Sequence, residues 1–202
     1  MAIKALIFDL SGVVLLTIHG TFKSLMAERL GVSAEAVGRV MNDPMNDKWD
    51  MDEISDDEFY DYMLAQTGQP AEKKAILEKF VIEDFYIDAE MLALVRELHG
   101  TYTTALLTNF PAHVHDFMKR AWHVDGAFDH IIVSADVKLI KPDPRIYQLT
   151  LDRIGCKAHE AVFIDDVRLN VEAAEALGIR GIVFTSKSQL IADLKRLLKP
   201  SR

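Results

Sequence analysis

The stretch Ile3-Lys4-Ala5-Leu6-Ile7-Phe8-Asp9-Leu10-Ser11-Gly12-Val13-Val14 decides how the chain folds. Ile3 to Phe8 is a short apolar run, interrupted only by Lys4, with the length and composition of a buried strand. It ends on Asp9, so the strand delivers a carboxylate to its own carboxyl end. Four further runs read the same way: Thr103 to Leu107, His130 to Val133, Ala161 to Ile164 and Gly181 to Phe184. Between the last four lie segments with helical signals, His113 to Trp122, Arg145 to Ile154 and Asn170 to Leu177, the third stopped by Gly178. Strand alternates with helix, which predicts a parallel sheet.

The expected fold is therefore α/β, a Rossmann-like core of five main strands. Between the first and second strands lie roughly ninety residues, where a crossover needs about a dozen. The surplus is helical in pattern. Phe22 to Leu30 stops at Gly31, and Ser33 caps a helix running to Met41. Ser55 and Glu58 form a capping box before Phe59 to Ala65, and Pro70 opens a helix over Ala71 to Phe80. Residues 15–90 are thus expected to form a helical cap, inserted into a core made of residues 1–14 and 91–202. With no repeat and no Gly/Ser linker, the cap should pack against the core.

The chain has 202 residues, half of them hydrophobic, enough for a sizeable buried core. Its 31 acidic and 23 basic residues give a net charge of −8 and no basic patch, which argues against nucleic acid and anionic membrane as partners. The apolar start is too short for a signal peptide or a membrane span. The single cysteine, Cys156, fits a reducing, cytoplasmic setting. A monomer or homodimer acting on a small molecule is the expectation.

In open parallel sheets ligands bind beyond the carboxyl ends of the strands. That edge collects Asp9 and Ser11 from the first strand, Thr108 and Asn109 from the second, Ser134 from the third, and Asp165 and Asp166 from the fourth. Lys141 follows the third strand, in a loop stiffened by Pro142 and Pro144. Any one of these has a bland role, such as capping the next helix. Together, three carboxylates at one edge repel one another unless a cation lies among them. Oxygen ligands suit magnesium, which takes one or two carboxylates together with substrate phosphate. Lys141 and the Thr108 hydroxyl would hold the remaining phosphate oxygens.

These residues resemble the haloacid dehalogenase superfamily, in the branch with a helical cap after the first strand. The resemblance rests on Phe8-Asp9-Leu10-Ser11-Gly12-Val13-Val14, Leu107-Thr108-Asn109, Lys141-Pro142-Asp143-Pro144, and Phe163-Ile164-Asp165-Asp166 with Asn170, in the family's order and covering nearly the whole chain. It implies that Asp9 is a nucleophile forming an aspartyl-phosphate. Asp9, the Ser11 carbonyl, Asp165 and Asp166 would hold Mg2+, and Thr108, Asn109 and Lys141 would bind phosphate. The implied substrate is a small phosphorylated metabolite.

One position departs from the family. Most of its phosphatases carry, two residues after the nucleophile, an aspartate that serves as general acid and base; here it is Ser11. A serine hydroxyl does not titrate near neutrality, and general acid–base catalysis contributes about 10²- to 10⁴-fold. Turnover should be slower or confined to good leaving groups, unless another group such as His19 stands in. Two alternatives follow. The family's 2-haloacid dehalogenases also lack that aspartate, although they carry an aromatic residue there and use no metal. A catalytically impaired protein that only binds magnesium and phosphate is the other.

In the cap, the six carboxylates from Asp50 to Glu58 read as a solvated helix start, and Trp49, Phe59, Tyr60 and Tyr62 as the cap's own core. Lys138 stands where many relatives have glycine. His113 and His115 face different ways on one helix and do not read as a metal pair.

Overall fold

The computed structural model describes residues 2–124 and 126–198. Strand β1 (Ala5–Phe8) is followed by β2 (Leu15–Thr17) and helices α1 (Phe22–Leu30), α2 (Ala34–Met41), α3 (Pro44–Asp50) and α4 (Asp56–Thr67). After a 3-10 turn at Ala71–Lys73 come α5 (Lys74–Asp84), β3 (Phe85–Ile87), α6 (Ala89–His99) and β4 (Thr103–Thr108). Then follow α7 (Val114–Arg120), β5 (His130–Val133), the single turn α8 (Ser134–Val137) and α9 (Pro144–Ile154). A 3-10 turn at Ala158–Glu160, β6 (Ala161–Asp165), α10 (Arg168–Ala176), β7 (Arg180–Val183) and α11 (Lys187–Leu197) complete the order.

The five strands expected from the sequence form one parallel sheet in the order β5-β4-β1-β6-β7. Their apolar character on both sides has a direct cause, since helices cover both faces. Leu6, Phe8, Leu106 and Ile164 pack with Met91 and Val95 of α6, and with Leu190 and Leu194 of α11. Ile7, Leu107 and Phe163 pack on the opposite face with Ile146, Tyr147 and Leu151 of α9. From β1 the chain builds outward through β4 and β5, then returns to β1's other side for β6 and β7. The order reverses at β1, so a crevice opens at its carboxyl end.

Helices α1 to α5 form the inserted cap, with a hydrophobic core of its own that includes Leu25, Leu30, Val37, Phe59, Met63 and Phe80. The local signals act as read. Gly31 ends α1 in the left-handed region at φ 72°, Ser33 caps α2, and Ser55 and Glu58 close a capping box on α4. Pro70 opens a 3-10 turn, after which α5 runs on to Asp84, past the expected end at Phe80. Helix α3 is an element beyond those expected from the sequence; Asp43 caps it and Pro44 takes its first turn. At the neck of the cap, β2 and β3 pair antiparallel, Leu15 opposite Ile87 and Thr17 opposite Phe85. Among the described residues no helix is long and apolar enough to cross a membrane.

Candidate active site

Asp9 leaves β1 with its N–H donating to the Ile164 carbonyl at 2.8 Å, which holds it at the crevice between β1 and β6. Its carboxylate is 6% exposed; Oδ1 accepts from the Leu10 N–H and from Lys141 Nζ, each at 2.7 Å. The same ammonium donates to Asp165 Oδ2, again at 2.7 Å. Asp165 is fully buried, and it also accepts from the Val167 N–H at 2.7 Å and from Asn170 Nδ2 at 3.1 and 3.2 Å. Both of its oxygens are therefore engaged by the protein.

Asp166 is more open. It closes a group in which Asp9, Asp165 and Asp166 each offer an oxygen, all within 4.8 Å of one another. Gly12, at φ +83°, makes room for it: a Cβ there would lie 2.4 Å from Asp166 Oδ2. Burial and the neighbouring charges shift the protonation of Asp9, Asp166 and Lys141. Burial pushes Asp9 up to about 7, with Lys141 opposing and Asp165 and Asp166 reinforcing the shift. Burial and Asp165 likewise raise Asp166. Lys141 is disfavoured as a cation by its burial, but the two carboxylates outweigh this and raise it.

Thr108 ends β4 and is 1% exposed, and among the described residues its hydroxyl has no hydrogen-bond partner. Asn109 is placed differently. Its Oδ1 accepts from the Lys141 N–H at 2.8 Å and its Nδ2 donates to the Lys141 carbonyl at 2.9 Å. The side chain thus clamps the lysine loop, and Asn109 also lines the cavity. Ser11 lines the cavity beside Asp9. His19 does not: its Nε2 pairs with exposed Glu28 at 2.9 Å. His113 binds Asp56 and His115 binds Asp136, so neither faces the acidic group.

The crevice widens under the cap into a cavity of about 780 Å³. Its walls away from the acids are largely apolar, with Leu15 and Leu16 at the neck, Phe22, Met41 and Trp49 from the cap and Phe110 from the core, interrupted by Thr17, Thr21 and Lys23. Trp49, read from sequence as cap core, is both, since it stacks on Phe59 at 4.2 Å and lines this wall. Asp50, read as part of a solvated helix start, lines the cavity as well.

A parallel sheet with an inserted helical cap and this edge define the haloacid dehalogenase-like hydrolases, and the chain belongs to that family, matching it over residues 3–178. It is 29% identical over 196 residues to the sesquiterpene phosphatase astK of Aspergillus oryzae, covering 96% of each chain. It is 25% identical over 199 residues to (S)-2-haloacid dehalogenase 4A of Burkholderia cepacia, covering 90% of this chain and 82% of the other. A HAD family enzyme from Bacteroides thetaiotaomicron, solved in complex with magnesium and inorganic phosphate, superposes with a TM-score of 0.72 at 21% identity, covering 94% of this chain and 99% of that one. A dehalogenase superposes equally well, with a TM-score of 0.74 at 21% identity over 98% of each chain. These likenesses show the fold.

Proposed function

We propose that the protein is a magnesium-dependent phosphatase of a small phosphorylated metabolite with an apolar organic group, working through an aspartyl-phosphate on Asp9. The observation that carries this reading is the excess of charge at the sheet edge, three carboxylates within 4.8 Å around a single lysine. Such a group repels itself unless a divalent cation joins it. A dehalogenase, which expels halide without a metal, has no use for the third acid.

The donor set is oxygen-only, and Gly12 leaves Asp166 the space to act in it. Asp9, Asp166 and the Ser11 carbonyl would hold magnesium, with Asp165 completing the group while it grips Lys141. When bound, the metal supplies neutralisation of phosphate charge. The chain's own residues do the rest. An Asp9 oxygen attacks phosphorus, and the bond from phosphorus to the organic oxygen breaks. Lys141 and the unpaired Thr108 hydroxyl hold phosphate oxygens as negative charge moves onto them. Asn109 fixes the lysine loop. Residues 15–90 then serve as the cap that shelters the reaction from water and receives the organic group against Leu16, Phe22 and Met41. The similarity to a sesquiterpene phosphatase supports an apolar organic group of this kind.

The test is phosphate release from a panel of alkyl and prenyl monophosphates, with and without magnesium. The reading predicts release that needs magnesium and is abolished in Asp9→Asn. Phosphate and magnesium binding without release from any member of the panel would instead mark a protein that only binds.

A further inference from the structure

We propose that Asp50, reaching into the cavity from the end of α3, is the acid and base that position 11 lacks. The proposal rests on the phosphatase reading above. Asp50 lines the same cavity as Asp9, Lys141 and Asp166. Of the six carboxylates from Asp50 to Glu58 it alone does so.

Its position is fixed from the core. The Asp50 carbonyl accepts from Ser134 Oγ at 2.5 Å, and that oxygen itself accepts from the Phe110 N–H at 2.8 Å. Phe110 follows Thr108 and Asn109, so the tie runs to the strand end that carries the candidate phosphate-binding residues. One residue on, the Met51 carbonyl accepts from Lys138 Nζ at 2.6 Å. Lys138 sits in the left-handed region at φ 54°, where it ends α8. The segment bearing Asp50 is thus held at two points on the sheet edge that bears the nucleophile.

The side chain is oriented as well. Asn46, one turn back and 7% exposed, donates Nδ2 to Asp50 Oδ2 at 3.0 Å. Among the described residues no donor is paired with Oδ1. Trp49, stacked on Phe59 with 7° between the rings, pins the helix behind it. Such an acid must also hold a proton near neutrality. Burial and the neighbouring Asp47 push Asp50 up to about 7, against the hydrogen bond from Asn46 and the field of Lys141.

In the first half-reaction an Asp9 oxygen bonds to phosphorus and the bond from phosphorus to the organic oxygen breaks. Its electron pair stays on that oxygen, which takes the Asp50 proton and leaves as an alcohol. In the second, water bonds to phosphorus and gives a proton to the Asp50 carboxylate. The Asp9–phosphorus link then breaks, returning Asp9 as a carboxylate and releasing phosphate. Ester and water become alcohol and phosphate, with both side chains restored.

The experiment compares kcat/KM of wild type and Asp50→Asn on octyl, phenyl and 4-nitrophenyl phosphate with magnesium. Octyl phosphate needs its leaving oxygen protonated, and 4-nitrophenyl phosphate hardly does. The expected loss is about 10²- to 10⁴-fold on octyl phosphate, shrinking to below about tenfold on 4-nitrophenyl phosphate. Adding Ser11→Asp to Asp50→Asn should restore octyl phosphate turnover, which a merely misfolded variant could not show. An equal loss on all three substrates, or none, overturns the role of Asp50 and leaves the phosphatase reading standing. A wild type silent on all three overturns that reading, and this proposal with it.

Discussion

Lys141 Nζ stands 2.7 Å from Asp9 Oδ1 and 2.7 Å from Asp165 Oδ2, so one buried ammonium spans the nucleophile candidate and the base of the acidic group. Removing the cation strands two buried carboxylates. Lys141→Met should cost about 3–5 kcal/mol of stability, as breaking a buried ion pair does. Its turnover should fall about 10²- to 10³-fold or more, the usual loss when a donor to developing charge is removed. Urea denaturation reads the first and phosphate release the second. Unchanged turnover would remove the lysine from the site's chemistry.

Thr108 offers a sharper separation, because its buried hydroxyl has no partner among the described residues. Thr108→Val keeps the shape and removes an unsatisfied polar group, so stability should hold or rise by up to about 1 kcal/mol. If the hydroxyl exists to meet phosphate, kcat/KM should drop about tenfold or more, by loss of one hydrogen bond to a charged group. A variant that is both less stable and fully active would contradict this role.

Gly12→Ala drives a methyl into Asp166 Oδ2 at 2.4 Å and strains a backbone at φ +83°. The expected result is a raised magnesium requirement, seen as a rightward shift of the activation curve. An unshifted curve would show that Asp166 does not need its place beside residue 12.

The pH dependence has a fixed sign. Folding raises Asp9 from the ordinary carboxylate value of 3.8 to about 7, so the fold prefers the protonated acid. The stability this contributes is complete below about pH 4 and is lost as pH rises through about 7. In EDTA, wild type should therefore lose stability relative to Asp9→Asn between pH 5 and 8, and magnesium should reverse the loss. Parallel curves for the two proteins would contradict it. The comparison with the variant matters because other carboxylates, Asp56 among them, shift the opposite way. Burial raises Asp56, but hydrogen bonds from His113 and Trp49 outweigh this and hold it low.

Much of this architecture is legible in the sequence because it rests on local rules. The apolar runs around Ile7, Leu106, Ile132, Phe163 and Ile182 carry strand length and composition in their own residues, and Ser33, Ser55 and Gly31 cap helices through their own neighbours. The acidic edge followed from topology, since strand ends converge where the order reverses. What escaped depends on contacts distant in sequence. The neck strands β2 and β3 are three residues each, too short for periodicity, and exist because they pair across the whole insertion. The clamp that the Asn109 amide forms on the Lys141 backbone joins two loops 32 residues apart, which no local pattern announces. Asp50 lies in an acidic run, and what sets it apart is long-range: the tie from Ser134 to its carbonyl and its place in the cavity wall. Helix α3 is the exception, a local element whose start Asp43 and Pro44 mark in the sequence itself.

The most direct test of the central claim is a single-turnover reaction in ¹⁸O-water with an apolar monophosphate and magnesium, followed by mass spectrometry of the products and of the peptide containing Asp9. An aspartyl-phosphate opened by water at phosphorus puts the label into inorganic phosphate and leaves Asp9 unlabelled. Label in the Asp9 carboxylate, or label-free phosphate, would contradict the account.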